Sequence, residues 1–124
     1  MHNLTRSYED YLEALFVLEK HGKNIRSVDV ASYLGVSRPA VSKTINEIKT
    51  LGLLAQSRYK AITLTDEGRK VGESIFEKHT LIKKFLIHLG VDEATAEVDC
   101  CKMEHVVSDA TLAAFKKVLK ERKK

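Results

Sequence analysis

The sequence predicts a mostly α-helical protein, in which an N-terminal winged helix-turn-helix with a small β-hairpin wing precedes an all-helical domain. Three observations support this fold class. Apolar residues recur at helical spacing through most of the chain. Two short helical segments meet at a tight turn, Gly35-Val36-Ser37, as in a helix-turn-helix. Two short apolar runs then flank a polar loop, which is typical of a hairpin.

The first half of the chain is predicted to contain three helices and the hairpin. The first helix covers Tyr8 to His21, and Ser27 is expected to cap a short second helix that Gly35 ends. Ser37 is expected to cap the third helix. The predicted buried stripe of the third helix is Val41, Ile45, Ile48 and Leu51. The predicted strands are Leu53-Leu54-Ala55 and Ala61-Ile62-Thr63-Leu64.

The second half is predicted to be helical throughout. Thr65 caps a long helix that runs to about Leu89, where Gly90 stops it, and two or three helices follow, broken near Asp92 and at Ser108. A winged helix-turn-helix domain is therefore expected over residues 1–64 and a helical domain over residues 65–124. We also expect a homodimer formed by the helices after Thr65, because their apolar residues exceed what one small winged domain needs. These residues are Val71, Ile75, Ile82 and Leu112.

The charge distribution favours a nucleic-acid partner for the first half. The net charge of the 124-residue chain is +4, and residues 1–64 carry nine Lys/Arg against six Asp/Glu, or +3 of it. No apolar run is long enough to span a bilayer and no signal peptide is visible, so no membrane partner is expected. The only two cysteines, Cys100 and Cys101, are adjacent and poorly placed for a structural disulfide, which predicts a reduced, cytoplasmic setting.

Candidate DNA contacts lie on the third helix and at the tip of the hairpin loop. When the apolar stripe of this helix faces inward, short or basic side chains face outward near its N-terminal end, as in helices that read the major groove. The basic loop tip is suited to phosphate contacts. The expected DNA-binding residues are Ser37, Arg38, Pro39, Ser42, Lys43, Asn46, Arg58 and Lys60. A winged fold that makes only protein contacts is the alternative interpretation.

A possible chelating set lies near the end of the chain. Cys101, Glu104 and His105 stand at i, i+3 and i+4, so they leave the same face of a helix. Further candidate ligands on other predicted helices are Asp10, Glu13 and His79. Each residue alone has a simpler interpretation as a surface acid, a packed histidine or a buried thiol. Their joint occurrence favours a transcription regulator that senses a metal.

Motifs along most of the chain carry a family resemblance. They are Tyr8-Glu9-Asp10-Tyr11-Leu12-Glu13, Leu34-Gly35-Val36-Ser37-Arg38-Pro39-Ala40-Val41-Ser42, Leu64-Thr65-Asp66-Glu67-Gly68-Arg69, His79 before Phe85-Leu86, and Met103-Glu104-His105-Val106-Val107-Ser108 after Cys101. With these motifs, the region from about Tyr8 to Leu119 resembles the diphtheria toxin repressor / manganese transport regulator (DtxR/MntR) family.

The resemblance implies a function and a ligand set. It implies a winged-helix DNA-binding domain, a helical metal-binding and dimerisation domain, and a homodimer that binds a palindromic operator in double-stranded DNA when loaded with metal. Such a repressor would act on genes of metal uptake or homeostasis. The implied metal ligands are Asp10, Glu13, His79, Cys101, Glu104 and His105.

The sequence also departs from both branches of this family. Asp10 and Glu13 resemble the manganese branch, Cys101 resembles the iron branch, and Lys83 replaces a carboxylate of the iron branch's second site. We therefore expect Mn²⁺ or Fe²⁺, for which Co²⁺ or Zn²⁺ can substitute. Cys100 is expected to point about 100° away from Cys101 on the helix and to take no part in metal binding.

Two other functions are consistent with parts of the pattern. A winged-helix regulator that needs no metal would keep the same DNA-binding surface. A small di-metal hydrolase could use the same carboxylates and histidines, but no nucleophile, phosphate-binding loop or lid is evident in the sequence. The sequence therefore favours a regulator over an enzyme.

Overall fold

The computed structural model describes residues 4–22, 24–56 and 61–122, and these residues form six helices and one two-stranded antiparallel hairpin. The elements are α1 (Arg6–Lys20), α2 (Ser27–Leu34), α3 (Arg38–Thr50), β1 (Leu54–Gln56), β2 (Ile62–Leu64), α4 (Asp66–His88), α5 (Glu93–Met103) and α6 (Asp109–Arg122). The chain forms two compact units, Met1–Ser74 and Ile75–Lys124. The predicted fold class is confirmed. Among the described helices, none is both long and apolar enough to cross a membrane.

Local capping determines where the helices of the first unit begin. The side chain of Ser37 accepts a hydrogen bond from the Ala40 amide at 3.2 Å, which confirms it as the cap of α3. The prediction that Ser27 caps α2 is wrong by one residue. Arg26 holds the cap position, and its amide donates to the Asp29 carboxylate at 2.9 Å, so a carboxylate three residues along replaces the expected serine hydroxyl.

The buried face of α3 is shorter than predicted. Val41, Ile45 and Ile48 are buried, whereas Leu51 is 39% exposed. Leu51 follows the last helical residue, so the chain has left the helical path at this point and the period no longer applies. The turn before α3 is as predicted, because Gly35 adopts a left-handed conformation with φ +70°.

The start of α4 packs closely against the wing and α1. The hairpin pairs Leu54 with Leu64, and its first strand begins at Leu54, one residue later than the predicted Leu53. A Cβ added at Gly68 would lie 2.0 Å from the Leu53 carbonyl oxygen, and one at Gly72 would lie 2.7 Å from the Leu12 carbonyl oxygen. Both glycines therefore permit a close approach that a larger residue would prevent.

An ion pair and a cap hold the first turn of α4 in place. The Arg69 guanidinium donates to both carboxylate oxygens of Glu19 at the end of α1, at 2.7 and 2.9 Å. This bidentate contact lowers the pKa of Glu19 and raises that of Arg69. Thr65 accepts from the Gly68 amide at 3.1 Å, which confirms the predicted cap.

The second unit has its own apolar core between its helices. Ile82, Cys100 and Leu112 are buried there, and the partly buried residues packed around them are Leu81, Leu86, Met103, Val107 and Phe115. The rings of Phe85 and Phe115 stack with their centroids 4.1 Å apart. Two helices follow α4, which agrees with the predicted two or three. Asp92 caps α5, and Ser108 directly precedes α6.

The residues expected to form a dimer surface are mostly internal. Ile75, Ile82 and Leu112 are buried within the chain, so they cannot offer apolar surface to a second copy, and the argument from these residues is wrong. Sequence periodicity identified them as one apolar face, but a helix of a small helical unit needs such a face for its own core. The exposed large apolar residues of this unit are Ile87, Leu89, Val98, Val106 and Val118.

Candidate metal centre and DNA-reading helix

A buried carboxylate lies between two histidines in the second unit. Glu104 caps the C-terminal end of α5 and is only 2% exposed. Its Oε1 lies 2.8 Å from Nδ1 of His79 on α4, and its Oε2 lies 3.6 Å from Nε2 of His105. A carboxylate removed from water is costly unless it is paired with positive charge or coordinates a metal. The predicted ligands His79 and His105 thus lie on either side of a third predicted ligand, Glu104, whose negative charge needs compensation.

Glu97 is a member of this cluster that the sequence analysis did not identify. Its Oε2 lies 3.2 Å from His79 Nε2, and its Oε1 lies 3.0 Å from the Lys83 ammonium. The hydrogen bond from Lys83, together with the charge of His79, holds the pKa of Glu97 below its usual range. The spacing could have indicated it, because Glu97 stands four residues before Cys101 and on the same helical face.

Both thiols face the His79 imidazole. The Sγ atoms of Cys100 and Cys101 lie 3.6 and 3.8 Å from His79 Nδ1. The prediction that Cys100 points away from the cluster is therefore wrong. Two adjacent helical positions differ by about 100°, but His79 projects from α4 between them, so both short side chains reach its ring. Burial, aided by nearby carboxylates, raises the pKa of Cys100 to about 11 and that of Cys101 to about 12.

The remaining predicted ligands belong to the first unit. Asp10 and Glu13 lie one turn apart on α1, on the same face, and both are half-buried. They are oxygen donors, whereas the cluster of the second unit contains oxygen, nitrogen and sulfur donors, and each of these residue types binds divalent cations when deprotonated. The donor chemistry therefore fits a divalent transition-metal cation.

Helix α3, the predicted DNA-reading helix (called the reading helix below), presents a polar, basic face. The predicted DNA-binding residues at the start of α3 are all exposed, namely Ser37, Arg38, Pro39, Ser42, Lys43 and Asn46. Their arrangement follows from the burial of Val41 and Ile45 on the opposite side of the helix. The predicted contacts Arg58 and Lys60 lie outside the described residues.

Comparison with family models divides the chain into two matched regions. Residues 3–62 match the model described as "Iron dependent repressor, N-terminal DNA binding domain". Residues 65–124 match the model described as "Iron dependent repressor, metal binding and dimerisation domain". The two models together account for nearly the whole chain, and they support binding to DNA and association into dimers.

Curated relatives are transcriptional regulators. The chain is 38% identical over 108 residues to the transcriptional regulator MntR of Escherichia coli O6:H1. The aligned residues cover 87% of this chain and 70% of that protein. It is 35% identical over 115 residues to an HTH-type transcriptional regulator of Methanocaldococcus jannaschii, covering 91% of this chain and 92% of that one.

Two solved structures have a fold similar to that of this chain. The manganese regulator SloR superposes with a TM-score of 0.82 at 29% identity, over 94% of this chain and 55% of that one. ScaR with bound Zn²⁺ gives a TM-score of 0.76 at 31% identity, over 91% of this chain and 53% of that one. The chain thus spans about half the length of these structural neighbours. Because the relatives are regulators, the interpretation as a di-metal hydrolase is excluded. The chain belongs to the diphtheria toxin repressor / manganese transport regulator family of metal-dependent, DNA-binding transcriptional regulators.

Proposed function

We propose that this chain represses genes of metal uptake or homeostasis, in the cytoplasm, by binding a palindromic operator as a homodimer when a divalent cation is bound. The preferred cation is Mn²⁺ or Fe²⁺, and Co²⁺ or Zn²⁺ can substitute. The two matched models, one for DNA binding and one for metal binding and dimerisation, support this function.

The observation that carries the proposal is the burial of Glu104 between His79 and His105. Its carboxylate is almost fully withdrawn from water, and the effective penalty for burying one ion is on the order of several kcal/mol before any compensation. A divalent cation supplies the compensating charge when it is bound. We assign its ligands as Asp10, Glu13, His79, Cys101, Glu104 and His105.

The proposed ligands come from both units of the chain. Asp10 and Glu13 belong to the first unit, which contains the reading helix, and the other four ligands belong to the second. Two reading helices of a dimer must keep a fixed spacing, because operator half-sites lie about one helical turn of DNA apart. Operator affinity then depends on how strongly ligation favours the conformer with that spacing.

We propose that the dimer surface uses exposed apolar residues of the second unit. Leu89 is 62% exposed and Val106 is 80% exposed, so both side chains are accessible to a second copy of the chain. The matched dimerisation model covers the same part of the chain. Light scattering at micromolar concentration is expected to give the mass of a dimer. A mass of one chain, with and without metal, would contradict this proposal.

The test of the function is DNA binding to genomic fragments with each divalent cation in turn. We expect tight, selective binding with Mn²⁺ or Fe²⁺ and weak binding after chelation. Glu104→Gln should lose the metal response, because it removes the buried negative charge, while Asp99→Asn, an exposed change on the same helix, should keep it. Equal binding with and without metal would instead favour the metal-independent regulator.

A further inference from the structure

A cavity lies in the first unit between α1 and the reading helix. It has a volume of about 460 Å³ and is lined by Tyr8, Asn46, Glu47, Thr50 and Leu51. Glu47 lies one turn after Lys43 on α3, on the same side of the helix. We propose that Glu47, which is not among the predicted DNA contacts, reads the exocyclic amine of a cytosine in the major groove. This inference rests on the proposed operator binding by α3 and names one base that the helix recognises.

The two hydroxyl groups that line the cavity have already used their protons. The Tyr8 hydroxyl donates to Glu47 Oε1 at 2.8 Å, and the Thr50 hydroxyl donates to the main-chain carbonyl of Glu47 at 2.6 Å. Each hydroxyl has a single proton, so both oxygens can now only accept hydrogen bonds. An ionised carboxylate is also an acceptor only. Three of the five lining side chains therefore offer acceptors, and a polar group that enters the cavity is required to donate.

The negative charge of Glu47 excludes a DNA phosphate from the cavity. Among the described residues, the hydrogen-bond donor to its carboxylate is the neutral Tyr8 hydroxyl rather than a lysine or an arginine. A phosphate oxygen is negative and accepts only, so it would meet a like charge and find no donor. In the major groove the donors are the exocyclic amines of cytosine and adenine. A base amine is thus the group of DNA that this carboxylate can bind.

Cytosine fits this carboxylate better than adenine does. Cytosine presents only its N4 amine at the major-groove edge, whereas adenine presents the acceptor N7 beside its N6 amine. A carboxylate beside N7 would face a lone pair without a proton between them. The donor and acceptor of an amide match the adenine edge instead, so the neighbouring Asn46 is better suited to adenine. Leu51, which is 39% exposed, adds an apolar surface that suits the C5–H edge of cytosine.

Tyr8 is the positioning residue for this contact. Its hydrogen bond holds Oε1 of Glu47 and leaves Oε2 as the acceptor for a base. A side chain that is already held loses less rotamer freedom when it binds. The simpler interpretation is that Glu47 only joins α3 to α1 and that water fills the cavity. The two interpretations differ for Glu47→Gln, which keeps an oxygen for Tyr8 but places an NH₂ group where the cytosine amine would donate.

The experiment measures base preference with the full, metal-loaded chain. Binding sites are selected from a random-sequence duplex library, and anisotropy titrations follow with each base pair of the selected operator changed in turn. We expect one C·G pair in each half-site at which replacement weakens binding by about 5- to 150-fold.

In Glu47→Gln the preference at this pair should shift from cytosine to a base that offers an acceptor. The variant also loses a negative charge that DNA repels, so its operator affinity changes less than its base preference. Glu73→Gln removes the same charge from an exposed position of α4 and should keep the cytosine preference. An unchanged preference in a folded Glu47→Gln protein would overturn the proposal.

A measurement on the unaltered chain guards against a variant that fails to fold. Each operator cytosine is replaced in turn by 2-pyrimidinone, which lacks the exocyclic amine, and a cytosine in the flanking DNA is the control. We expect one replacement in each half-site to weaken binding by about 5- to 150-fold. If no replacement weakens binding more than the control does, the proposal is overturned. Selective, metal-dependent DNA binding without an amine contact would contradict only this inference, whereas the absence of selective DNA binding would contradict the proposed function itself.

Discussion

The hydroxyl of Tyr8 donates a hydrogen bond to a carboxylate oxygen of Glu47, with the two oxygens 2.8 Å apart. Tyr8 lies on α1, two residues before the proposed ligand Asp10, and Glu47 lies on α3, four residues after Lys43. The bond raises the pKa of Tyr8, because Glu47 favours the protonated phenol as its donor. Helix α1, which carries the proposed ligands Asp10 and Glu13, is therefore hydrogen-bonded directly to α3, the reading helix.

Replacing Tyr8 with phenylalanine should weaken this connection. We expect Tyr8→Phe to lower the free energy of unfolding slightly, because the hydrogen bond to Glu47 is lost. Operator affinity with metal present should fall, while metal affinity stays unchanged. Urea denaturation and fluorescence anisotropy measure the two effects. Glu47→Gln, which keeps an acceptor, should be milder, and wild-type operator affinity in Tyr8→Phe would show that the bond does not position α3.

Removing the Lys43 side chain should weaken operator binding without changing metal affinity. Lys43 is exposed on α3 beside Ser42, on the face opposite the core. If it contacts a phosphate, Lys43→Ala will weaken all DNA sequences similarly and lower the salt slope by about one; if it contacts a base, specificity will relax. Anisotropy titrations at several salt concentrations distinguish the two. Lys117→Ala on α6 is the control, and equal DNA affinity in both variants would remove Lys43 from the interface.

Exchanging the thiol of Cys101 for a carboxylate should change the metal preference. Cys101→Glu replaces a soft donor with a hard one, so the DNA-binding response should shift toward Mn²⁺ and away from Zn²⁺ or Co²⁺. Titration of operator binding with each cation measures the shift. Lys102→Glu places a carboxylate on the exposed neighbouring position and should leave the preference unchanged. Cys100→Ala is not a silent control, because its sulfur also lies beside His79.

Adding a methyl group at Gly68 should destabilise the first unit. The new Cβ would lie 2.0 Å from the Leu53 carbonyl oxygen, which is a backbone atom that cannot move aside alone. Overpacking of this kind costs about 1–3 kcal/mol, so Gly68→Ala should lower the urea midpoint even though alanine favours helices. Lys70→Ala, an exposed change on the same helix, should alter stability by less than about 0.5 kcal/mol. A more stable Gly68→Ala protein would contradict the close packing.

The two thiols should be unreactive in the metal-free protein. With pKa values of about 11 for Cys100 and about 12 for Cys101, roughly one thiol in a thousand and one in ten thousand are ionised near pH 8, and alkylation requires the thiolate. Iodoacetamide labelling followed by mass spectrometry should be slow in the folded chain and fast in urea. Equal labelling rates would contradict the raised pKa values.

The same pKa shifts predict how stability depends on pH. Unfolded thiols lose their protons near pH 8.5, about two units or more before the folded ones. Between those values the folded state holds more protons, so the stability contributed by the two thiols is fully present below about pH 8.5. It is lost as the pH rises toward about 11 for Cys100 and about 12 for Cys101. Urea denaturation at several pH values should show this loss, and Cys100→Ala should reduce it.

The sequence by itself determined the features that depend on a few neighbouring residues. Ser37 caps α3 and Gly35 makes the turn before it, because a cap or a left-handed turn involves only residues within four positions. The shared face of Cys101 and Glu104 likewise follows from helical geometry alone. The family resemblance rests on such local motifs, and the two matched family models confirm it.

Only the tertiary structure decided which side chains meet. The positions of Cys100 and Glu97 beside His79 depend on how α4 packs on α5, and that packing involves residues more than fifteen positions apart. The exposure of Leu51 and the burial of Leu112 also depend on the tertiary structure, because periodicity identifies an apolar face but not the element that covers it. A helix fixes the directions of its own side chains, whereas the residues that those side chains contact depend on the packing of the whole unit.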